Sequence, residues 1–148
     1  MRKILTVAIA LTLLAGVTPL GASLAGSWLG EGSGSVCTGP ITPPPDFPIY
    51  GWQNWKGQIP NSENEFCGEW YDKIGNYGNF KSRMTFSTPD EVACVGTWTW
   101  FDTSANPPHE YVMGDFWMKF HKVNLTCYGE WFTNFSNEGG KMWGGMVD

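Results

Sequence analysis

A Gly-x-Trp triplet that recurs together with an answering glycine constrains this chain more than any other feature. It occurs at Gly68-Glu69-Trp70, Gly96-Thr97-Trp98 and Gly129-Glu130-Trp131, each with a cysteine one or two residues upstream (Cys67, Cys94, Cys127). Each triplet is followed by a Gly-x-apolar segment, at Gly78-Asn79-Phe80, Gly114-Asp115-Phe116 and Gly140-Lys141-Met142. A degenerate first copy answers Gly26-Ser27-Trp28 with Gly57-Gln58-Ile59. Turn-forming residues fill the gaps between paired segments at 73–76, 103–108 and 134–139, where β-hairpins need them. The repeat therefore reads as four hairpins, or about eight strands. An indole buries on the order of 200 Å² and needs a neighbour without a Cβ to lie flat across a sheet, so the Gly of one strand is expected to receive the Trp of the next.

Alternation assigns the faces. Gly78, Phe80, Ser82, Met84 and Phe86 share one parity against Tyr77, Asn79, Lys81, Arg83 and Thr85. Val112, Gly114, Phe116, Met118 and Phe120 likewise share a dry parity, as do Cys94, Gly96, Trp98 and Trp100, and Leu125, Cys127, Gly129 and Trp131. The expected fold class is all-β, an antiparallel up-and-down meander of eight strands closed into a small barrel, because closure removes exposed edges and every connection after the first is short. A two-sheet sandwich has the same pattern and stays open as the alternative. The 19 Gly and 10 Pro argue against long helices, and 42% hydrophobic with only 16% charged residues argues for a folded chain.

Residues 1–25 have the pattern of a secretory signal: Arg2 and Lys3, an apolar run from Ile4 to Leu14, and small residues Ser23 and Ala25 before a cut at Gly26. The apolar run is short for a membrane span, which takes roughly 20 residues. Residues 26–148 then form a single domain with a Gly/Pro-rich connection at 30–48, in a secreted, periplasmic or extracellular setting. Beyond residue 25 the chain holds seven Lys and Arg against fourteen Asp and Glu, a net charge of −7, which disfavours nucleic acid and anionic membrane as partners. Four cysteines in an exported chain suggest two disulfides, with Cys37–Cys67 and Cys94–Cys127 as the favoured pairing. Spacings of 30, 27 and 33 residues contain no C-x-x-C pair, so a zinc site is not expected, nor is any cofactor.

No catalytic constellation stands out. His109 and His121 lack a nucleophile context, and Glu69 and Glu130 have the outward parity. Trp70, Trp98 and Trp131, at matched repeat positions, read as scaffold. Residues the repeat does not require are better candidates for a ligand site. These are Trp52 and Trp55 after the Pro-rich connection, Trp100 and Trp117, and, near the strand ends opposite the cysteines, Tyr71, Asp72, Asp102 and Tyr111. Aromatic planes with a few acceptors suit a glycan or other small hydroxylated ligand. The leading expectation is a secreted, non-enzymatic binding protein with a shallow aromatic site, at the mouth or on the outer face around Tyr111 and Trp117. An exported structural or interaction module with a filled core is the first alternative. A carboxylate-dependent hydrolase using Asp72, Asp102 or Asp115 is the second.

Overall fold

A computed structural model describes residues 22–37 and 48–147. Most of the segment expected to be an export signal, and the Pro43–Phe47 stretch of the connection, lie outside the described residues. Eight strands follow one another around a closed antiparallel barrel: β1 (Gly26–Gly32), β2 (Asn54–Ile59), β3 (Glu65–Tyr71), β4 (Tyr77–Ser87), β5 (Glu91–Asp102), β6 (His109–His121), β7 (Thr126–Phe132) and β8 (Gly139–Met146). β8 pairs back onto β1, which decides for the barrel over the sandwich.

The repeat acts through register. Trp28 lies opposite Gly57, Trp70 opposite Gly78, Trp98 opposite Gly114 and Trp131 opposite Gly140. All four indoles are fully buried. Trp70, Trp98 and Trp131 each pass beneath the neighbouring strand and donate the indole N–H to a carbonyl two strands away: Thr99 at 2.7 Å, Phe132 at 2.8 Å and Ser33 at 3.1 Å. A Cβ at Gly114 would collide with the Phe132 carbonyl, and one at Gly140 with the Ser33 carbonyl and the Trp131 ring, so both positions are closed to any side chain. Trp70, Trp98 and Trp131 meet edge to face at 5.7 and 5.2 Å, forming one layer of the core.

Two β-bulges break the parity that the sequence suggests. Register shifts between Met84 and Phe86 on β4, and at Trp98/Thr99 opposite Met113 on β6. An extra residue in one strand turns the following side chains to the other face. Phe86 and Val112, expected inside, are therefore 59% and 58% exposed, while Met113 is buried and Tyr111 packs against the core.

The interior also takes in residues upstream of β1. Leu24 is buried, and its carbonyl accepts the Trp28 indole N–H at 3.0 Å. The packed domain thus begins two residues before the expected cut at Gly26.

The expected disulfides are absent among the described residues, and all four cysteines are free thiols. The Cys37 N–H donates to the Glu138 carboxylate in the β7–β8 turn, at the end of the barrel opposite the first half of β3, where Cys67 sits. Cys67 also has the outward parity, between inward Phe66 and Gly68. Cys94 and Cys127 are both buried, on β5 and β7, with β6 between them. Next-nearest strands stand about 9.5 Å apart, beyond the roughly 4.4–6.8 Å that a disulfide bridges.

Candidate functional site

The end of the barrel where β3, β5 and β7 finish is closed rather than open. Residues 48–53 cross it: Ile49 pairs with Val36, Gly51 packs on the Trp98 and Trp131 rings, and Trp52 enters the core. Asp72 fastens this closure. One carboxylate oxygen accepts the N–H groups of Ile74 (3.1 Å) and Asn76 (2.8 Å), and the other accepts Tyr50 N–H (3.2 Å) and the Asn76 side-chain amide (2.8 Å). Four donors saturate a buried carboxylate, so Asp72 is a structural turn residue with no free face for a ligand.

Asn76 passes the connection onward by accepting the Trp100 indole N–H at 3.2 Å. Trp100 stacks on Tyr111 at 6.0 Å, and Tyr111 meets the His109 ring at 4.3 Å. Asp102 lies opposite His109 but is engaged by its own turn, accepting from the Ser104 backbone (3.0 Å) and hydroxyl (2.6 Å). On the outside of the same rim, Tyr71 is 47% exposed opposite Tyr77, which stacks on Phe101 at 5.2 Å. Tyr71, Trp100, Asp102 and Tyr111 thus do gather at one end. The indole of Trp100 is buried, however, and the exposed part of the rim is the edge of Tyr111 with His109 and the pair Tyr71 and Tyr77.

Trp52 and Trp55 are core residues, with Trp55 donating its indole N–H to Glu31 O at 3.2 Å. Trp117 is placed differently. It lies on the outer face of β6 between buried Phe116 and Met118, and meets Tyr128 of β7 edge to face at 5.8 Å. Tyr128 stands opposite Trp143 of β8 and stacks on His121 at 5.8 Å. Tyr128 and Trp143 are 42% and 46% exposed. Around these rings the outward positions alternate in chemistry: Lys119 opposite Tyr128, Glu130 opposite both Trp117 and Lys141, and Glu31 opposite Trp143. The result is a shallow wall of three aromatic planes flanked by donors and acceptors.

Tyr128, Trp143 and His121 were not among the candidates from sequence, although a signal exists. Tyr128 sits between Cys127 and Gly129, and Trp143 between Met142 and Gly144, so both are large aromatics on the wet parity of strands whose dry parity is already filled.

The thiols offer little nucleophilic chemistry. Burial raises the Cys67 thiol, pushes Cys94 up to about 11 with the nearby Cys67 adding to the rise, and raises Cys127 further. All three stay protonated at neutral pH, and the thiolate is the reactive form. No group of three or more His, Cys, Asp or Glu suited to a metal ion occurs among the described residues. Asp115 lies exposed on the outer face of β6, apart from Asp72 and Asp102, so the acids proposed for hydrolysis do not share one site.

No known protein family matches this chain, and neither a curated protein nor a solved structure resembles it at a significant level.

Proposed function

We propose that this is an exported, non-enzymatic binding protein whose outer β6–β8 wall takes a glycan. The observation that carries the reading is the outward cluster of exposed Tyr128 and Trp143 with half-buried Trp117 on three adjacent strands. Sugar rings present C–H faces that stack on aromatic planes, and their hydroxyls bond to groups such as Lys119, Glu130, Lys141 and Glu31 at the margins. A flat sheet face suits an extended chain of sugars better than a single small molecule, because no deep concavity is needed.

Export rests on the N-terminal pattern of Arg2, Lys3 and the following apolar run, and exclusion of nucleic acid and membrane rests on the acidic balance of the chain. Titration of the protein with a panel of oligosaccharides, followed by tryptophan fluorescence and calorimetry, tests the reading. Binding is expected, with at least a tenfold loss on Trp143→Ala or Tyr128→Ala. A second reading, an exported structural or interaction module, is favoured by the filled interior. Failure of every oligosaccharide to bind the wild-type protein, together with self-association or capture of a partner through the same wall, would replace the first reading with the second.

A further inference from the structure

The protein holds nine tryptophans, and one of them is out of keeping with the rest. Trp28, Trp55, Trp70, Trp98, Trp100 and Trp131 each donate the indole N–H to an identified acceptor. Trp117 and Trp143 belong to the outer wall. Trp52 alone is fully buried with its indole N–H unpartnered among the described residues. Its backbone adopts φ 60°, the left-handed region that L residues with large side chains avoid. It also comes from the connection before β2 and not from a strand, so no sheet ladder holds its backbone.

The surroundings of this ring are regular where the ring itself is not. Phe80 of β4 stacks on it at 4.4 Å and 25°, Phe116 of β6 lies tilted at 4.8 Å, and Trp55 of β2 meets it edge-on at 6.4 Å. Each of these three belongs to a strand paired on both sides, and Trp55 is fixed further by its bond to Glu31. The three rings are carried by the barrel wall, whereas Trp52 is carried by the connection before β2. Its occupant, by contrast, bears a strained backbone and a desolvated, unpaired donor, both of which lower the cost of its leaving.

The geometry points to an interior binding site of indole size that the protein fills with its own Trp52. A free, planar, uncharged bicyclic aromatic exchanges with the Trp52 ring between Phe80, Phe116 and Trp55. The ligand class follows from the cage, which consists of hydrocarbon ring faces and edges: a charged or strongly hydrated group loses its hydration there without recompense, whereas a flat aromatic recovers every contact that Trp52 gives up. A free ligand carries no left-handed backbone, and Trp52, once outside, regains water on its N–H. This inference is independent of the glycan reading, since the cage and the outer wall lie on opposite sides of the sheet.

The test is ¹⁹F NMR of protein labelled with 5-fluorotryptophan, with the Trp52 signal assigned by its loss in Trp52→Phe, and free indole as the probe. Addition of indole is expected to move the Trp52 signal to a solvent-exposed position while those of Trp117 and Trp143 stay in place. Trp52→Ala is expected to bind indole at least about tenfold more tightly than the wild type, because no resident ring has to be expelled. A Trp52 signal that stays buried at indole concentrations saturating Trp52→Ala overturns the proposal and makes Trp52 a permanent part of the core. Should Trp52→Ala fail to fold, a wild-type Trp52 signal unmoved up to the solubility limit of indole overturns it equally. An oligosaccharide that moves the Trp143 signal and leaves Trp52 unchanged reports on the outer wall alone, so the two readings fail separately.

Discussion

The two faces of the β6–β8 wall use the same residue types in opposite ways. Inside, Trp131 is fully buried, crosses beneath Gly140 and ends on the Ser33 carbonyl. Outside, on the same three strands, half-buried Trp117 and exposed Trp143 flank exposed Tyr128. Trp70, Trp98 and Trp131 hold the barrel closed because each ties its strand to a segment two strands away that it does not pair with directly. The outer rings tie nothing that the ladder does not already hold, and such unspent aromatic surface is what a binding face requires. Tryptophan content says little by itself; the glycine opposite, and the carbonyl beyond it, decide whether an indole is scaffold.

The strongest way to break this contrast is to deny an inner indole its space. Gly114→Val is expected to destabilise the protein by about 4 kcal/mol or more, or to prevent folding, since the new side chain collides with the Phe132 backbone above Trp98. Urea denaturation measures it, and a loss below 1 kcal/mol would show that the wall yields.

A smaller effect comes from pH. Cys94 titrates near 11 when folded and near 9 when exposed, so the folded state holds its proton more tightly. Its contribution is complete below pH 9 and is lost as pH rises from 9 through 11, at most about 3 kcal/mol. Thermal melts across that range should fall more gently for Cys94→Ser than for the wild type, with Cys127 acting in the same direction.

The boundary of the inner face is tested by the chain start. A protein beginning at Gly26 lacks buried Leu24 and leaves the Trp28 N–H without its acceptor, and is expected to be about 2 kcal/mol less stable than one beginning at Ala22. Equal melting temperatures would refute the role of Leu24. N-terminal sequencing of the protein taken from its native source then shows which form the cell keeps.

Within the interior, Trp98→Phe and Trp52→Phe remove similar ring volume, but only the first breaks a hydrogen bond, leaving the Phe132 carbonyl with one partner fewer. Trp98→Phe is expected to cost about 1–2 kcal/mol more than Trp52→Phe, read from paired denaturation curves. The smallest effect belongs to the outer face: Trp143→Ala should change stability by no more than about 0.5 kcal/mol while removing glycan binding. A large stability loss there would make Trp143 scaffold after all.

Much of the fold was legible because its rules are local. Gly-x-Trp, the answering Gly and the turn residues mark out the hairpins, and a Gly seat for each repeated Trp is legible, but the structure sets its sense: the Trp of one strand sits on the Gly of the next, as in Trp70/Gly78, Trp98/Gly114 and Trp131/Gly140. The bulges at β4 and β6 left no comparable mark, since any residue type is admitted at them, and so Phe86 and Val112 were placed on the wrong face. The candidate site was legible only in part. Trp117 stands out by its departure from the repeat, but Tyr128 and Trp143 become neighbours of Trp117 only through the β6–β7 and β7–β8 registers. Asp72, Trp52 and Trp55 looked available for a ligand because nothing in the sequence shows where residues 48–53 turn inward.

The sequence by itself determined the strand number, the meander and the need of each repeated tryptophan for a glycine on a neighbouring strand, because a side chain as large as indole leaves little else that fits. Tertiary structure alone decided that the barrel closes through β1 and β8, that the four thiols remain unbonded, and that Trp52 fills the core with its N–H unpaired among the described residues. Those outcomes depend on distances between residues remote in the chain, which closure of the barrel sets and no local pattern encodes.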